Sequence, residues 1–272
     1  MPIDSPVVLT RCYIMPMHKP LPLSLTVITL NEEENLPRCL ESARDLCAEI
    51  VVIDSGSTDR TGELARKSGA VFEFQKWSGH VAQKNIALRR CTQPWVLSLD
   101  ADEALSPELA DSLRNLFATG EPRQDGFWVN RRTFYLGDWV WHAWYPEWRL
   151  RLVRREHAEW RGLDPHDKLE VTGTTARLEG DLLHYPFRDF HQHLQSTITH
   201  ARTMANSYAS EGRRFRWRHL LFSPWVAFFK HLLWKQGWRD GWRGWLISSA
   251  KFVNVLAKYA FLLEKERVDN HK

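Results

Sequence analysis

Hydrophobic and polar positions alternate in blocks along the first hundred residues of the chain. Four short apolar runs have the composition of buried strands: 23–30, 49–54, 71–75 and 94–102. The segments between them have helical spacing, as at 35–46, where Leu36, Leu40 and Ala43 fall on one face. Strands and helices that alternate in this way predict parallel βαβ units, with ligands at the carboxyl ends of the strands. We therefore expect an α/β fold with a site at one edge of its sheet.

The pattern changes at about Gly126. An aromatic and basic stretch with strand character, 126–155, leads into a hairpin and a further strand, and helical patterns continue from Asp189 almost to the end. These changes predict three parts: a loose tail at 1–22, a main domain at 23–190 with halves 23–120 and 121–190, and a helical, basic and Trp-rich extension at 191–272.

The fourth apolar run ends in three carboxylates, Asp100, Asp102 and Glu103. Side chains alternate between the faces of a strand, so Asp100 and Asp102 point the same way if the extended backbone persists. Two carboxylates so close repel each other unless a cation or a proton lies between them, and Mg²⁺ favours one or two carboxylates together with phosphate oxygens. A solvated turn before a helix capped by Ser106 explains the same residues equally well. Both interpretations stay open from this segment alone.

Polar groups also follow the first two apolar runs. Residues 29–32 lie at the end of the first run, and Asp54 ends the second run before a Gly-Ser-Thr turn. Asp54 is able to accept a hydrogen bond from the ring N–H of a base, although Asp is also common in ordinary turns. Lys84, on the helix before the acidic strand, is either a partner for a diphosphate or a solvated lysine. Because such strand ends meet at one edge, we expect a shared polar site there.

Charge divides the chain into two parts. The chain carries a net charge of +4, yet residues 213–258 hold ten Lys or Arg against one acid, Asp240, and six of the fourteen Trp. Tryptophans flanked by basic residues suit the headgroup zone of an anionic membrane, and lysines such as Lys251 and Lys258 are expected to interrupt any apolar span of about 20 residues. A helical cap packed on the main domain is the alternative. A nucleic-acid partner is not expected, because the rest of the chain is net negative with an acidic edge.

The cysteines and the first residues predict the compartment. The four cysteines lack metal-type spacing, and the first 22 residues contain no continuous apolar stretch of the signal-peptide type. These two features predict reduced thiols in a cytoplasmic protein. Together with the basic, Trp-rich extension, this predicts a protein that is peripheral on the cytoplasmic face of the inner membrane.

Several segments resemble one enzyme family. "SLTVITLNEEENLPRCLES", "IVVIDSGSTDRT", "QKNIAL" and "VLSLDADE" resemble, in order and spacing, the nucleotide-sugar-binding half of family 2 glycosyltransferases, which are inverting enzymes. "DPHDKLEV", "LLHY" and the stretch 126–155 resemble the branch that includes lipopolysaccharide core β-1,4-glucosyltransferases. The resemblance implies a GT-A type, Rossmann-like, mostly parallel sheet flanked by helices, with a C-terminal helical membrane-associating extension.

The resemblance also implies roles for individual residues. The nucleotide-sugar site would comprise Thr29, Leu30, Asn31, Glu32, Asp54, Lys84 and Asp100. A divalent cation, Mg²⁺ or Mn²⁺, would be held by Asp100, Asp102 and His184. In this interpretation Asp54 contacts uracil and Lys84 faces the diphosphate. Many relatives have an aromatic residue, on which a base can stack, where this chain has Leu30, and this departure weakens the expectation of uridine specificity.

An inverting transfer needs a base that takes the proton of the acceptor hydroxyl. In related sequences a His-Glu pair lies near the position of His166-Asp167 here. The resemblance thus makes Asp167 the catalytic base, with His166 orienting it or donating to the acceptor. A surface loop is the alternative interpretation of these two residues.

Trp144, Arg149 and Arg151 are the expected acceptor-binding residues. Aromatic faces stack on sugar rings and arginines pair with phosphate, although core packing explains some of the tryptophans. The expected reaction moves a hexose, glucose by resemblance, from a UDP-sugar to a lipopolysaccharide inner core or a similar glycolipid. A polyprenyl-phosphate glycosyltransferase and a capsule or exopolysaccharide glycosyltransferase are the alternatives. A basic membrane- or nucleic-acid-binding protein without activity would leave the acidic edge unexplained.

Overall fold

The computed structural model describes residues 19–162 and 167–269 of the chain. Its strands are β1 (Leu21–Thr29), β2 (Cys47–Asp54), β3 (Val71–Phe74), β4 (Trp95–Asp100), β5 (Glu103–Leu105), β6 (Gly126–Tyr135), β7 (Asp138–Trp139), β8 (Trp148–Arg154), β9 (Ala158–Arg161), β10 (Lys168–Val171) and β11 (Thr175–His184). Its α-helices are α1 (Leu36–Ala43), α2 (Thr61–Lys67), α3 (His80–Arg90), α4 (Pro107–Ala118), α5 (Phe190–Ser210), α6 (Trp217–Phe229) and α7 (Gly241–Asp269). A π-helical segment, Lys230–Trp234, and a 3-10 turn, Gly237–Asp240, join α6 to α7.

The first four strands form one parallel block of the sheet, and β6 and β11 form a second parallel pair. Among the described residues, the strand order is β3-β2-β1-β4-β8-β6-β11-β5, with β7 beside β6 and a separate β9-β10 pair. β1 runs parallel to β2 and to β4, with Thr29 opposite Asp54 and Ile28 opposite Asp100. This register sets the polar carboxyl ends of the three strands side by side. The predicted α/β sheet flanked by helices is confirmed.

The core packs between this sheet and the helices beside it. Leu23, Leu25 and Leu97 of β1 and β4 are at most 1% exposed, and Leu36 and Leu40 of α1 meet them with their predicted helical stripe. Burying one such side chain stabilises the fold by about 1.5–3 kcal/mol. A rigid core directly beneath the polar edge therefore fixes the strand ends that carry it.

The chain turns directly after β4. Residues 101–102 form a turn, so the extended backbone ends at Asp100 and the expected strand alternation does not reach Asp102. A short strand that the sequence did not predict, β5, then pairs antiparallel with β11, and Glu103 lies opposite His184. Ser106 caps α4 by accepting a hydrogen bond from the N–H of Leu109 at 3.2 Å, as predicted. The turn and the cap are present, and β11 approaches the acidic segment.

The residues after 189 are mainly helical, as expected. α7 packs on α5 and α6, and the Asn254 side chain donates to the carbonyl oxygen of Thr197 at 3.0 Å. Within the described residues, one helical stretch, Gly237–Val268, is long and apolar enough to cross a membrane by length and composition, and its most apolar 18-residue window has a mean hydropathy of 1.4. The stretch includes Lys251 and Lys258, which the sequence analysis expected to interrupt such a span, and that expectation stays a prediction.

The proposed division into parts stays a prediction, and α5 begins at Phe190, next to its boundary between residues 190 and 191. Residues 1–18 of the expected tail lie outside the described residues, and β1 already begins at Leu21, before the predicted end of the tail. Cys39, Cys47 and Cys91 are buried free thiols, as expected for reduced cysteines, and Cys12 lies outside the described residues.

Candidate active site

A cavity of about 1400 Å³ opens at the carboxyl ends of β1 and β4. It exceeds the roughly 300–1,000 Å³ that is usual for small-molecule sites, so it has room for more than a single small ligand. The residues that line it include most of the expected site: Thr29, Leu30, Glu32, Lys84, Asp100, Asp102, Arg149, Arg151, Asp167 and His184. Asn31, Asp54 and Trp144 are not among the lining residues, and His166 lies outside the described residues.

Lys84 joins two carboxylates in this cavity. Its Nζ lies 2.9 Å from Oδ1 of Asp100 and 2.8 Å from Oδ2 of Asp167, and 4.3 Å from the centre of the Trp160 ring. Burial alone would lower the pKa of Lys84, but Asp100 and Asp167 outweigh it and raise that pKa. The ammonium group therefore stays charged and bridges Asp100 to Asp167, the expected base, which are 67 positions apart in sequence. We call the carboxyl ends of β1 and β4, together with Lys84 and Arg151, the donor edge, because the sequence predicts the nucleotide-sugar site there.

Arg151 holds Asp100 from the other side. The Arg151 guanidinium lies 2.7 Å from Oδ2 of Asp100 and 2.6 Å from Oε1 of Glu103, whose side chain is fully buried. Arg131 also reaches Glu103, at 3.2 Å. Burial alone would raise the pKa of Asp100, but Arg151 and Lys84 hold it well below its usual range. Asp100 is thus a fixed carboxylate with two cationic partners.

Asp102 has a different environment. Its Oδ2 lies 3.3 Å from Nε2 of His184, and Nδ1 of His184 lies 3.1 Å from the hydroxyl of Thr133. Burial alone would raise the pKa of Asp102, and His184 lowers it below its usual value. Nearby Glu32 has a raised pKa, because burial and the charge of Asp102 disfavour its ionised form. The β5-β11 pairing thus brings together the predicted Asp102 and His184.

The donor set of this pair fits a divalent cation that is shared with a substrate. No group of three or more His, Cys, Asp or Glu able to hold a metal ion occurs in 19–162 or 167–269. Asp102 and His184 supply one carboxylate and one imidazole, and Mg²⁺ typically takes one or two carboxylates with waters and substrate phosphates. The residues present are compatible with a cation whose remaining ligands come from a diphosphate and water.

Asp54 and Asn31 organise the first two strand ends. Oδ1 of Asp54 accepts a hydrogen bond from the Thr29 hydroxyl at 2.9 Å, and its Oδ2 accepts from the N–H of Ser57 at 2.8 Å. Asn31 has a left-handed backbone, with φ of 57°, and its Oδ1 accepts from the N–H of Thr58 at 2.8 Å. Asn tolerates this conformation better than most residues. The two side chains lock the loops that follow β1 and β2.

Comparison with known proteins identifies the family. The model of the family described as "Glycosyl transferase family 2" matches residues 24–172, which is more than half of the chain. The chain belongs to this family. It is therefore an enzyme, a glycosyltransferase of the GT-A fold, as the sequence motifs predicted.

Two relatives align with most of the length of this glycosyltransferase. It is 32% identical over 92% of its length to the "Lipopolysaccharide core biosynthesis glycosyltransferase LpsC" of Rhizobium meliloti, covering 93% of that protein. It is 28% identical over 71% of its length to an "Uncharacterized glycosyltransferase" of Rickettsia typhi, covering 70% of it.

A solved structure is also similar in part. Glucosyl-3-phosphoglycerate synthase from Mycobacterium tuberculosis, in complex with Mn²⁺, UDP and glucosyl-3-phosphoglycerate, is 26% identical over 42% of this chain and 44% of that one. The TM-score is 0.33.

The expected acceptor residues of this glycosyltransferase separate in space. Arg149 lines the cavity and pairs with Glu147 at 2.5 Å. Trp144 packs instead against Tyr135 and Phe187, with its ring 5.2 Å from that of Tyr135. Arg151, as described above, contacts the acidic residues of the donor edge. Of the three, Arg149 alone keeps a position suited to an acceptor, and the roles of all three remain predictions.

The sequence analysis missed several residues that line the cavity: Trp77, His80, Trp128, Trp160, Ser196 and His200. Ser196 and His200 lie one turn apart on α5, so the helical extension forms part of the cavity wall. No local pattern marks them, because their position depends on how α5 packs. Trp77 and His80 follow the carboxyl end of β3, and that placement is a signal that sequence reasoning can use.

Proposed function

We propose that this glycosyltransferase moves a hexose, glucose by resemblance, from a UDP-sugar to a lipopolysaccharide core or similar glycolipid with inversion at the anomeric carbon. The observation that carries the proposal is the cavity shared by Asp100, Asp102, Lys84 and Asp167. The relative from Rhizobium meliloti, which aligns with nearly the whole chain and is named for lipopolysaccharide core biosynthesis, supports the acceptor class.

In this proposal each part of the cavity has one task. Asp102 and His184, with Asp100 beside them, hold a divalent cation together with the donor diphosphate. When bound, the cation offsets negative charge on the departing diphosphate. Lys84 adds a second positive charge at the same edge. Asp167 takes the proton of the acceptor hydroxyl, a contribution of about 10²–10⁴ to the rate in general-base catalysis. The Nζ of Lys84 lies 2.8 Å from Oδ2 of Asp167, and this ion pair holds the Asp167 carboxylate at the cavity wall.

The large cavity also supports two-substrate transfer. The donor edge lies at the ends of β1 and β4, whereas Arg149, Trp148 and the α5 residues line other parts of the wall. Aromatic faces suit sugar rings, and arginine suits the phosphates of an anionic core glycan. An acceptor of several sugars therefore fits the part of the cavity that the donor leaves open.

Peripheral binding to the cytoplasmic face of an anionic inner membrane completes the proposal. Exposed apolar side chains concentrate on α6 and the segment after it, and several are more than half exposed: Trp217, Phe222, Trp225, Val226 and Trp234. Basic residues lie among them, and Arg214, Arg216 and Arg218 are exposed. Headgroup attraction and shallow aromatic insertion act together in such a surface.

Product mass spectrometry tests the reaction directly. The protein with Mg²⁺ or Mn²⁺ is incubated with a lipopolysaccharide-core acceptor and, in turn, with UDP-glucose, UDP-galactose, UDP-GlcNAc and GDP-mannose. A hexose added from UDP-glucose and lost with EDTA is the expected result. Transfer from GDP-mannose alone, or onto polyprenyl phosphate in place of the core, would contradict the proposed donor or acceptor.

A further inference from the structure

The residues at the ends of β1 and β2 that are expected to recognise the nucleobase leave few contacts available to it. Leu30 is 52% exposed but aliphatic, so it gives no aromatic face. Oδ1 of Asp54 accepts hydrogen bonds from the hydroxyls of Thr29 and Ser57, and its Oδ2 accepts from the N–H groups of Gly56 and Ser57. Each carboxylate oxygen has about two lone-pair sites. The carboxylate of Asp54 therefore has its acceptor sites occupied by Thr29 at the end of β1 and by the loop after β2, and Asp54 is 3% exposed.

The loop between β3 and α3 lies against this same strand end. The N–H of Gln75 donates to the carbonyl oxygen of Asp54 at 2.8 Å. The side-chain amide of Gln83 then donates to the carbonyl oxygen of Gln75 at 2.9 Å and to the hydroxyl of Ser55 at 3.2 Å. Trp77 follows Gln75 by two residues. Three hydrogen bonds thus fix the loop that carries Trp77 beside the end of β2.

Trp77 presents an aromatic surface to the cavity. It lines the cavity together with Leu30 and Ser55, and it is 45% exposed. Its ring lies 4.7 Å from that of His80 in an edge-to-face arrangement, with an interplanar angle of 86°. This contact positions the indole, and the 45% exposure of Trp77 shows that part of its surface stays open. A half-exposed Trp on a cavity wall contributes less to the core than a buried one, which points to a ligand as its partner.

We propose that Trp77 is the residue on which the donor's nucleobase stacks. The inference rests on the proposed function, since it takes a nucleoside diphosphate sugar as the donor. Bases stack on aromatic side chains irrespective of their hydrogen-bond pattern, so Trp77 supplies affinity for a base that Leu30 and Asp54 leave without a partner. Recognition of the base then belongs to the β3-α3 loop, while the diphosphate lies at the β4 edge.

Titration calorimetry with two ligands tests this assignment. UDP and ribose 5-diphosphate, which lacks the base, are titrated with Mg²⁺ into the wild type and into Trp77→Ala, Trp77→Phe and Trp141→Ala. Trp141 is a matched control, 47% exposed and outside the cavity lining. The wild type is expected to bind UDP at least about tenfold more tightly than ribose 5-diphosphate, a ratio equivalent to about 1.4 kcal/mol.

In Trp77→Ala that ratio should fall below about threefold through weaker UDP binding, with ribose 5-diphosphate affinity unchanged. Trp77→Phe should keep most of the ratio, and Trp141→Ala all of it. A Trp77→Ala protein that retains the wild-type ratio overturns the assignment but leaves the proposed function intact. A wild type that does not distinguish the two ligands overturns both.

Discussion

The donor edge and the helical extension use charge in opposite ways. At the donor edge, Lys84, Asp100 and Arg151 form ion pairs of 2.7–2.9 Å in a largely buried cluster that continues to Glu103. In residues 213–258, the Lys and Arg ion pairs that the described part of the chain contains are Arg213–Glu211 and Arg243–Asp138, and Asp240 lies 3.0 Å from Nδ1 of His142. The remaining eight Lys and Arg of this segment have no carboxylate partner there.

The charges of the two regions differ in their hydration and in the distance over which they act. A buried charge loses its hydration and needs partners at fixed positions, so its contribution depends on geometry and is lost when one partner is removed. An exposed charge keeps its hydration, acts over about 10 Å and is screened by salt. The donor edge is therefore built for placement of one ligand, and the extension for attraction to a charged surface. Substitutions in the two regions should have different signatures.

The largest effect is expected from Asp102→Asn at the donor edge. An amide keeps the shape of Asp102 but removes the charge that pairs with His184 and, in our proposal, holds the cation. Transfer should fall by at least about 1,000-fold, with metal-dependent UDP binding lost and the circular dichroism spectrum unchanged, since removing a group that stabilises transition-state charge costs about 10²–10³ or more. Asp111→Asn, an exposed carboxylate on α4, should keep full activity. Undiminished transfer by Asp102→Asn in EDTA would exclude Asp102 as a cation ligand.

The second-largest effect is expected from Asp167→Asn. If Asp167 is the base, kcat falls by about 10²–10⁴ while the Kd for UDP changes little, because proton transfer is a step of the chemistry. Single-turnover kinetics and calorimetry separate the two quantities. Glu159→Gln, an exposed acid on β9, serves as the control. A loss confined to donor affinity would assign Asp167 to binding through Lys84.

Glu103→Gln tests the buried network itself. The substitution leaves Arg131 and Arg151 without their shared buried carboxylate, and breaking a buried ion pair in this way costs about 3–5 kcal/mol of unfolding free energy. Glu121→Gln removes an exposed partner of Arg154 and should cost about 0–1 kcal/mol. Urea denaturation measures the unfolding free energy of both variants. Equal costs for the two variants would mean that burial does not distinguish the donor edge from the surface.

The smallest effect on the folded enzyme is expected from replacing Arg213, Arg214, Arg216 and Arg218 with Gln. Unfolding free energy should change by about 0.5 kcal/mol or less per residue, and transfer to a detergent-soluble acceptor should persist. Binding to anionic vesicles should weaken at least tenfold at low salt, at about 1 kcal/mol per engaged basic residue. Vesicle sedimentation that responds neither to the substitutions nor to salt would show that the extension is a packed cap.

Much of the donor edge was predictable because its signals are local. The apolar runs at 23–30, 49–54 and 94–102 predicted three strands, and the structure ends these strands at Thr29, Asp54 and Asp100, within a few residues of the prediction. Their convergence followed from the rule that parallel strands share an edge. The capping of α4 by Ser106 also depends on neighbours in sequence, and it was predicted for that reason.

The sequence by itself determined the alternation of strands and helices, the family, the acidic edge and the uneven charge of the chain, because these depend on composition and on short spacings. Only the tertiary structure decided which residues meet. The pairing of β5 with β11 brings His184 to Asp102, and the packing of α3 brings Lys84 to Asp167. Such contacts join residues tens of positions apart through core packing, and no local pattern specifies a distance across the core.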